Sequence, residues 1–139
     1  MNPYIRDLLV REEGLRLMPY KDSVGLLTIG IGRCLDTTGI SPAECEVLFA
    51  NDLAHIEAQA QTFPYYAKLD PVRQTVVLSA LFQLGLRSWQ SFTTTNSLIA
   101  AGKYAEAADA IGESKWAKQT PQRVGRLMEM MRTGVIVRR

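Results

Sequence analysis

Glu13, Asp22 and Thr28 place two carboxylates and a hydroxyl in one short stretch, with eight residues between the first two and five between the last two. That set suits hydrolysis of a glycosidic bond. Such a reaction needs an acid to protonate the leaving oxygen and, where configuration inverts, a carboxylate to direct water at the opposite face of the sugar. Glu13 adjoins apolar Leu15 and Leu17, where partial burial would suit a proton donor, and Asp22 falls in a more polar loop suited to a carboxylate. Each residue also has a plainer reading. A lone Glu is usually a solvated charge, an Asp near a Gly is usually a turn residue, and a Thr in a strand often reflects propensity alone.

The elements around these residues can be read from local signals. Ile5, Leu8, Leu9 and Glu12 have helical spacing, Pro3 suits a first turn, and Gly14 is placed to stop the helix just after Glu13. From Leu15 to Leu35 the pattern changes to short runs broken by Gly25, Gly30 and Gly32, which favours hairpin strands. A three-residue loop over Val24-Gly25-Leu26 would set Asp22 opposite Thr28 on one face. Alternation would then add Gly30 and Gly32 to that face, leaving room for a sugar ring, while Ile29 and Ile31 point into a core.

Farther along, Ser41-Pro42-Ala43-Glu44 is a helix start with a capping hydroxyl and a Glu three residues on, opening a long amphipathic helix to about residue 60. Asp70-Pro71 opens a second, whose apolar run Val76 to Phe82 predicts burial all round. Short helices follow, separated by Gly102 and Gly112, and Thr120-Pro121 begins the last one. Met128, Met130 and Met131 read as core filling.

The chain of 139 residues is 47% apolar and 22% charged, which predicts one globular domain with a real core. Its net charge of +2 is too mild to argue for nucleic acid as the main partner. No window approaches the roughly 18 apolar residues of a membrane span, and residues 1 to 7 lack the basic cluster and apolar run of a signal segment. Neither membrane insertion nor export is expected. Cys34 and Cys45 read as free, partly buried thiols.

Taken as a set, the motif Glu13, Asp22, Thr28 resembles the active-site spacing of the phage-type lysozymes, glycoside hydrolase family 24. Glu-Gly-Leu-Arg-Leu at 13 to 17, Tyr-Lys-Asp at 20 to 22, Thr-Ile-Gly-Ile-Gly at 28 to 32, Asn-Ser-Leu at 96 to 98, Gln-Thr-Pro at 119 to 121 and Arg-Thr-Gly at 132 to 134 resemble it too, so the likeness spans nearly the whole chain. The resemblance implies Glu13 as general acid, Asp22 as the group directing the hydrolytic water, and Thr28 as the hydroxyl that helps hold it. It implies an inverting muramidase cutting the β-1,4 bond between N-acetylmuramic acid and N-acetylglucosamine, with carboxyl groups about 6.5 to 9.5 Å apart. Phe82, Gln83, Asn96, Ser97 and Arg123 match family positions that line the sugar groove or face the acid. No metal or cofactor is called for.

The implied architecture is α+β and mostly helical, a lysozyme-like single domain with two lobes. A small β-hairpin lobe spans about 14 to 41, a connecting helix about 42 to 60, and a larger helical lobe about 62 to 139 together with the N-terminal helix. Substrate is expected between the lobes, with hinges at the ends of the connecting helix. This sequence departs from the family at Arg33, where a histidine is usual and an ion pair would be lost, at Val24 in place of an acidic residue, and at Ala110 in place of a substrate-contacting Asn. It is also shorter between Leu35 and Ser41, which implies a trimmed small lobe. The expected role is that of a monomeric endolysin held in host cytoplasm, reaching peptidoglycan when a holin permeabilises the membrane. The rivals are a virion-associated or secreted wall-cutting effector and a non-catalytic peptidoglycan-binding module.

Overall fold

The computed structural model describes residues 1 to 138. Among them are eight α-helices and one three-stranded antiparallel sheet, an α+β fold dominated by helix. Two compact units divide the chain, Met1–Ala50 and Asn51–Arg139. The first helix and the sheet fall in the first of these, and the boundary lies inside the long helix of residues 42 to 60. None of the helices is long and apolar enough to cross a membrane.

In the first unit, α1 (Ile5–Glu13) ends where Gly14 takes a φ of 81° and its N–H bonds to the Val10 carbonyl at 2.9 Å. A side chain would resist that backbone conformation. The sheet follows as β1 (Arg16–Lys21), β2 (Leu27–Gly30) and β3 (Arg33–Cys34), in that order. Pro19 lies in β1, an edge strand, within the stretch between Arg16 and Tyr20 where the register slips. An edge or a bulge is where a residue without an N–H does least harm to a ladder.

The long helix α2 (Pro42–Ala60) begins with a reciprocal cap. Ser41 N–H donates to Glu44 Oε1 at 2.8 Å, and Glu44 N–H donates to Ser41 Oγ at 3.1 Å. Glu44 also receives Arg33 from β3, at 2.9 Å to Oε1 and 2.8 Å to Oε2, while Arg33 Nη1 reaches the Gly39 carbonyl at 3.0 Å. Arginine at this position thus makes an ion pair of its own, half-exposed and so not the buried pair that a histidine implied. A forked guanidinium can hold both carboxylate oxygens and a carbonyl together.

Thr28 is the only buried residue in the first unit. Ile29 and Ile31 turn toward the apolar side as alternation predicts, but they do not close a core. With Leu35, Ile40, Val47 and Leu48 they line an open groove of about 710 Å³, crossed at its polar end by Arg33 and Glu44. The short connection from residue 36 to 41 leaves Ile40, Val47 and Leu48 about half exposed.

The second unit holds a conventional core. It comprises α3 (Pro71–Leu84), α4 (Leu86–Gln90), α5 (Thr93–Ala100), α6 (Tyr104–Gly112), α7 (Lys115–Gln119) and α8 (Pro121–Thr133), after a 3-10 turn at Tyr66–Lys68. Val76, Val77, Ala80, Leu81, Trp89, Ile99, Ile111, Val124, Met130 and Met131 are buried there. The methionines fill the core as read. Burial of α3 is one-sided at its end, since Phe82 is 53% exposed.

Arg73 ties the start of α3 to the end of α8. Its guanidinium donates to the Met131 carbonyl at 2.7 Å, the Arg132 carbonyl at 3.1 Å and Asp70 at 3.0 Å, and stacks 4.0 Å from the Tyr104 ring centre. Asp70 caps the Arg73 N–H of the same helix start, confirming the Asp-Pro signal. The cysteines are free, Cys34 half-buried and Cys45 exposed.

Two outcomes follow from this uneven packing. Leu81→Ala should cost about 2–5 kcal/mol in urea unfolding, whereas Leu48→Ala should change stability by about 0.5 kcal/mol or less; amide exchange should be faster throughout residues 1 to 50 than in α3 and α8. The hydrogen bond from Arg33, followed by those from Ser41, lowers the Glu44 pKa to about 2 from 4.5. A depressed carboxylate stabilises the fold above the unfolded value and loses that contribution as pH falls from 4.5 toward 2. NMR titration of the Glu44 carboxyl should show this low midpoint, and Glu44→Gln should remove that component of acid sensitivity.

Candidate active site

Asp22 closes the β1–β2 turn with its own side chain. Its Oδ1 accepts the N–H of Val24 at 3.0 Å and of Leu26 at 2.9 Å, while its backbone N–H donates to the Leu26 carbonyl at 2.9 Å. An aspartate does this because its short carboxylate reaches backbone donors two to four residues on. Gly25, at φ 86°, completes the loop and donates to the Asp22 carbonyl at 3.0 Å.

This corrects the expected register. The loop is Ser23-Val24-Gly25, so Asp22 faces Leu26, and Thr28 faces Tyr20. The three-residue loop with a left-handed glycine was read correctly, but the side-chain bonds of Asp22 set it one residue earlier. The displacement keeps parity, so Asp22 and Thr28 remain on one face of the hairpin. The bland reading of Asp22 as a turn residue is correct too, and it leaves the second oxygen, Oδ2, without a protein partner among the described residues.

Thr28 is 4% exposed and sits on the central strand, where Oγ1 donates to the Leu26 carbonyl at 3.0 Å. Its proton is therefore committed, and the lone pairs of the oxygen remain available to accept. Glu13 is the last residue of α1 and is exposed, as are Leu15 and Leu17. The apolar shelter expected for it is absent, because those leucines point to solvent. Its carboxylate makes no hydrogen bond or ion pair among the described residues.

Nor does alternation carry Gly32 onto the strand face. Strand β2 ends at Gly30, and Ile31 and Gly32 form the tight turn into β3. That turn brings Gly32 against Glu13, since a β-carbon built on it would lie 3.1 Å from Glu13 Cγ and 3.2 Å from Oε2. Sequence reasoning missed this contact. The paired glycines marked a turn, but nothing local revealed what the turn touches.

The remaining residues belong to the second unit. Phe82 and Gln83 share the last turn of α3; Phe82 is exposed, and Gln83 Oε1 is buried without a partner among the described residues. Ser97 on α5 and Arg123 in the first turn of α8 are exposed. Asn96 is engaged within the unit. Its amide nitrogen donates to the Trp89 carbonyl at 2.8 Å and the Phe92 carbonyl at 2.9 Å, and its oxygen accepts from the Tyr65 hydroxyl. Trp89 Nε1 donates to the same hydroxyl at 3.3 Å, and burial, only partly opposed by that bond, pushes the Tyr65 pKa up to about 12. Among the described residues no cluster of His, Cys, Asp or Glu is arranged to hold a metal ion.

Known proteins bear on this geometry. The family model described as phage lysozyme matches residues 10–139. Probable T4-type lysozyme 1 of Dictyostelium discoideum is 30% identical over 162 aligned positions, covering 95% of each chain. The pre-baseplate central spike protein Gp5 of Enterobacteria phage T4 is 28% identical, covering 96% of this chain and 28% of that one. The SAR-endolysin of Escherichia phage Mu is 29% identical, over 80% of this chain and 64% of its own. Placing 95% of a 139-residue chain in 162 positions leaves about 30 that hold residues of the Dictyostelium protein alone.

The hold of Asp22 on the turn can be measured by substitution. Asp22→Asn retains an acceptor for Val24 and Leu26 and should fold with a change within about 1 kcal/mol; Asp22→Ala loses both bonds and should cost about 1–3 kcal/mol. Thr28→Val should cost about 1 kcal/mol or less, because the Leu26 carbonyl keeps its bond from the Asp22 N–H. Urea unfolding of the three variants measures these differences.

Proposed function

Since the chain belongs to the phage lysozyme family and its chemistry is lysozyme-type hydrolysis of peptidoglycan, we propose that Glu13, Asp22 and Thr28 make it an inverting muramidase. The bond cut is the β-1,4 link from N-acetylmuramic acid to N-acetylglucosamine. The observation that carries this reading is the division of labour at Asp22, whose Oδ1 holds the turn and whose Oδ2 is free on the hairpin face shared with Thr28. A non-catalytic binding module has no use for that arrangement.

In this reading one water lies between Asp22 Oδ2 and Thr28 Oγ1, giving a hydrogen bond to each. The commitment of the Thr28 proton to Leu26 favours it as acceptor, so the lone pair of the water is directed at the anomeric carbon. As the carbon–oxygen bond to the leaving sugar breaks, Glu13 delivers its proton to that oxygen. Water adds from the opposite face and passes a proton to Asp22, and configuration inverts.

The second unit, taken by itself, offers groups that suit a sugar polymer. Exposed Phe82 presents an apolar face to a sugar ring, and exposed Ser97 supplies a polar group for N-acetyl or hydroxyl functions, with Gln83, its Oε1 buried, adjoining Phe82. Arg123, with no partner among the described residues, suits the carboxylates of the stem peptides. Asn96 acts through the α4–α5 connection it braces, holding its neighbour Ser97. A role in host-cell lysis is supported by the endolysin relative.

Clearing of permeabilised Gram-negative cells tests the assignment. Glu13→Gln and Asp22→Asn should each slow clearing about 10²–10⁴-fold, the usual range for acid–base catalysis. Equal clearing by wild type and Glu13→Gln overturns the acid assignment. NMR of fresh products should show the α-anomer at reducing muramic acid ends; a β-anomer overturns inversion, and anhydro ends identify a transglycosylase.

A further inference from the structure

Gly30 and Gly32 flank Ile31 in the β2–β3 turn with nearly equal left-handed φ angles, +69° and +71°. Their surroundings differ. A β-carbon on Gly30 would meet nothing within 4 Å, whereas one on Gly32 would lie 3.1 Å from Glu13 Cγ, 3.2 Å from Oε2 and 3.3 Å from Cβ. Both need glycine for the turn, but only Gly32 needs it because another side chain occupies the space.

Glu13 is otherwise weakly held. It is exposed at the end of its helix and lacks any hydrogen bond or ion pair among the described residues. A glutamate so placed has three rotatable bonds, and spreading its carboxyl over several rotamers would dilute the geometry a proton transfer requires.

We propose that Gly32 is a positioning residue for the reaction: its bare backbone is the wall against which the Glu13 side chain lies, selecting the rotamer that presents the acid. The inference rests on the role proposed for Glu13. Any side chain at position 32 displaces the carboxyl and lowers turnover while leaving substrate binding largely in place.

Gly32→Ala is compared with Gly39→Ala. Position 39 has a similar φ of +62° in the same unit, and a β-carbon built there would meet nothing nearer than the Leu35 carbonyl at 3.9 Å. Gly32→Ala should lower kcat at least about 10-fold with KM within about threefold, and Gly39→Ala should retain wild-type kcat. In the Glu13→Gln background, Gly32→Ala should cost no further activity, because the group through which it acts is gone.

Equal kcat for the two alanine variants overturns the proposal, as does an undiminished loss in the Glu13→Gln background. If Gly32→Ala fails to fold, side-chain couplings of Glu13 in the wild-type protein decide: one dominant rotamer supports the wall, and free averaging overturns it. A fully active Glu13→Gln defeats the functional assignment instead, a result distinct from failure of the Gly32 wall alone.

Discussion

A single carboxylate oxygen governs the first unit. Asp22 Oδ1 holds the N–H groups of Val24 and Leu26, and this pair of bonds sets where the hairpin turns. The turn sets the pairing of Tyr20 with Thr28, and that pairing places a buried hydroxyl on the face where Asp22 Oδ2 remains free. The structural duty therefore rests on one oxygen of the group, and the proposed chemical duty falls to the other. Resonance makes them equivalent in isolation, and the backbone makes them different.

Packing around that hairpin is sparse. Residues 1 to 50 bury only Thr28 and leave an apolar groove beside the sheet. What the unit lacks in core it offsets with directional contacts. The Asp22 turn, the Ser41–Glu44 cap and the Arg33–Glu44 pair each fix a local geometry without enclosing much surface. Such contacts contribute less than a packed core, so the unit depends on their geometry being right.

The second unit is built the other way. Its centre is aromatic and aliphatic, with Trp89, Phe92 and Trp116 in a chain of ring contacts and Tyr65, Asn96 and Trp89 joined by hydrogen bonds. Asn96 shows what a residue type leaves open. An amide next to a serine in a family motif invites a role in binding sugar, yet its nitrogen and its oxygen both close a network inside the unit.

Local chemistry was legible in the residues alone. Gly14 ends α1, Ser41 and Glu44 cap α2, Asp70 and Pro71 open α3, and Pro121 begins α8, because each signal acts within about four residues of itself. The spacing of Glu13, Asp22 and Thr28 is likewise read from the sequence, and their role is the one proposed above. The hairpin register, the exposure of Glu13, the approach of Gly32 to it, and the partner of Arg33 were not. These depend on which distant backbone and side-chain groups meet once the strands pair and turn, and only the folded chain brings those groups within hydrogen-bonding or van der Waals range.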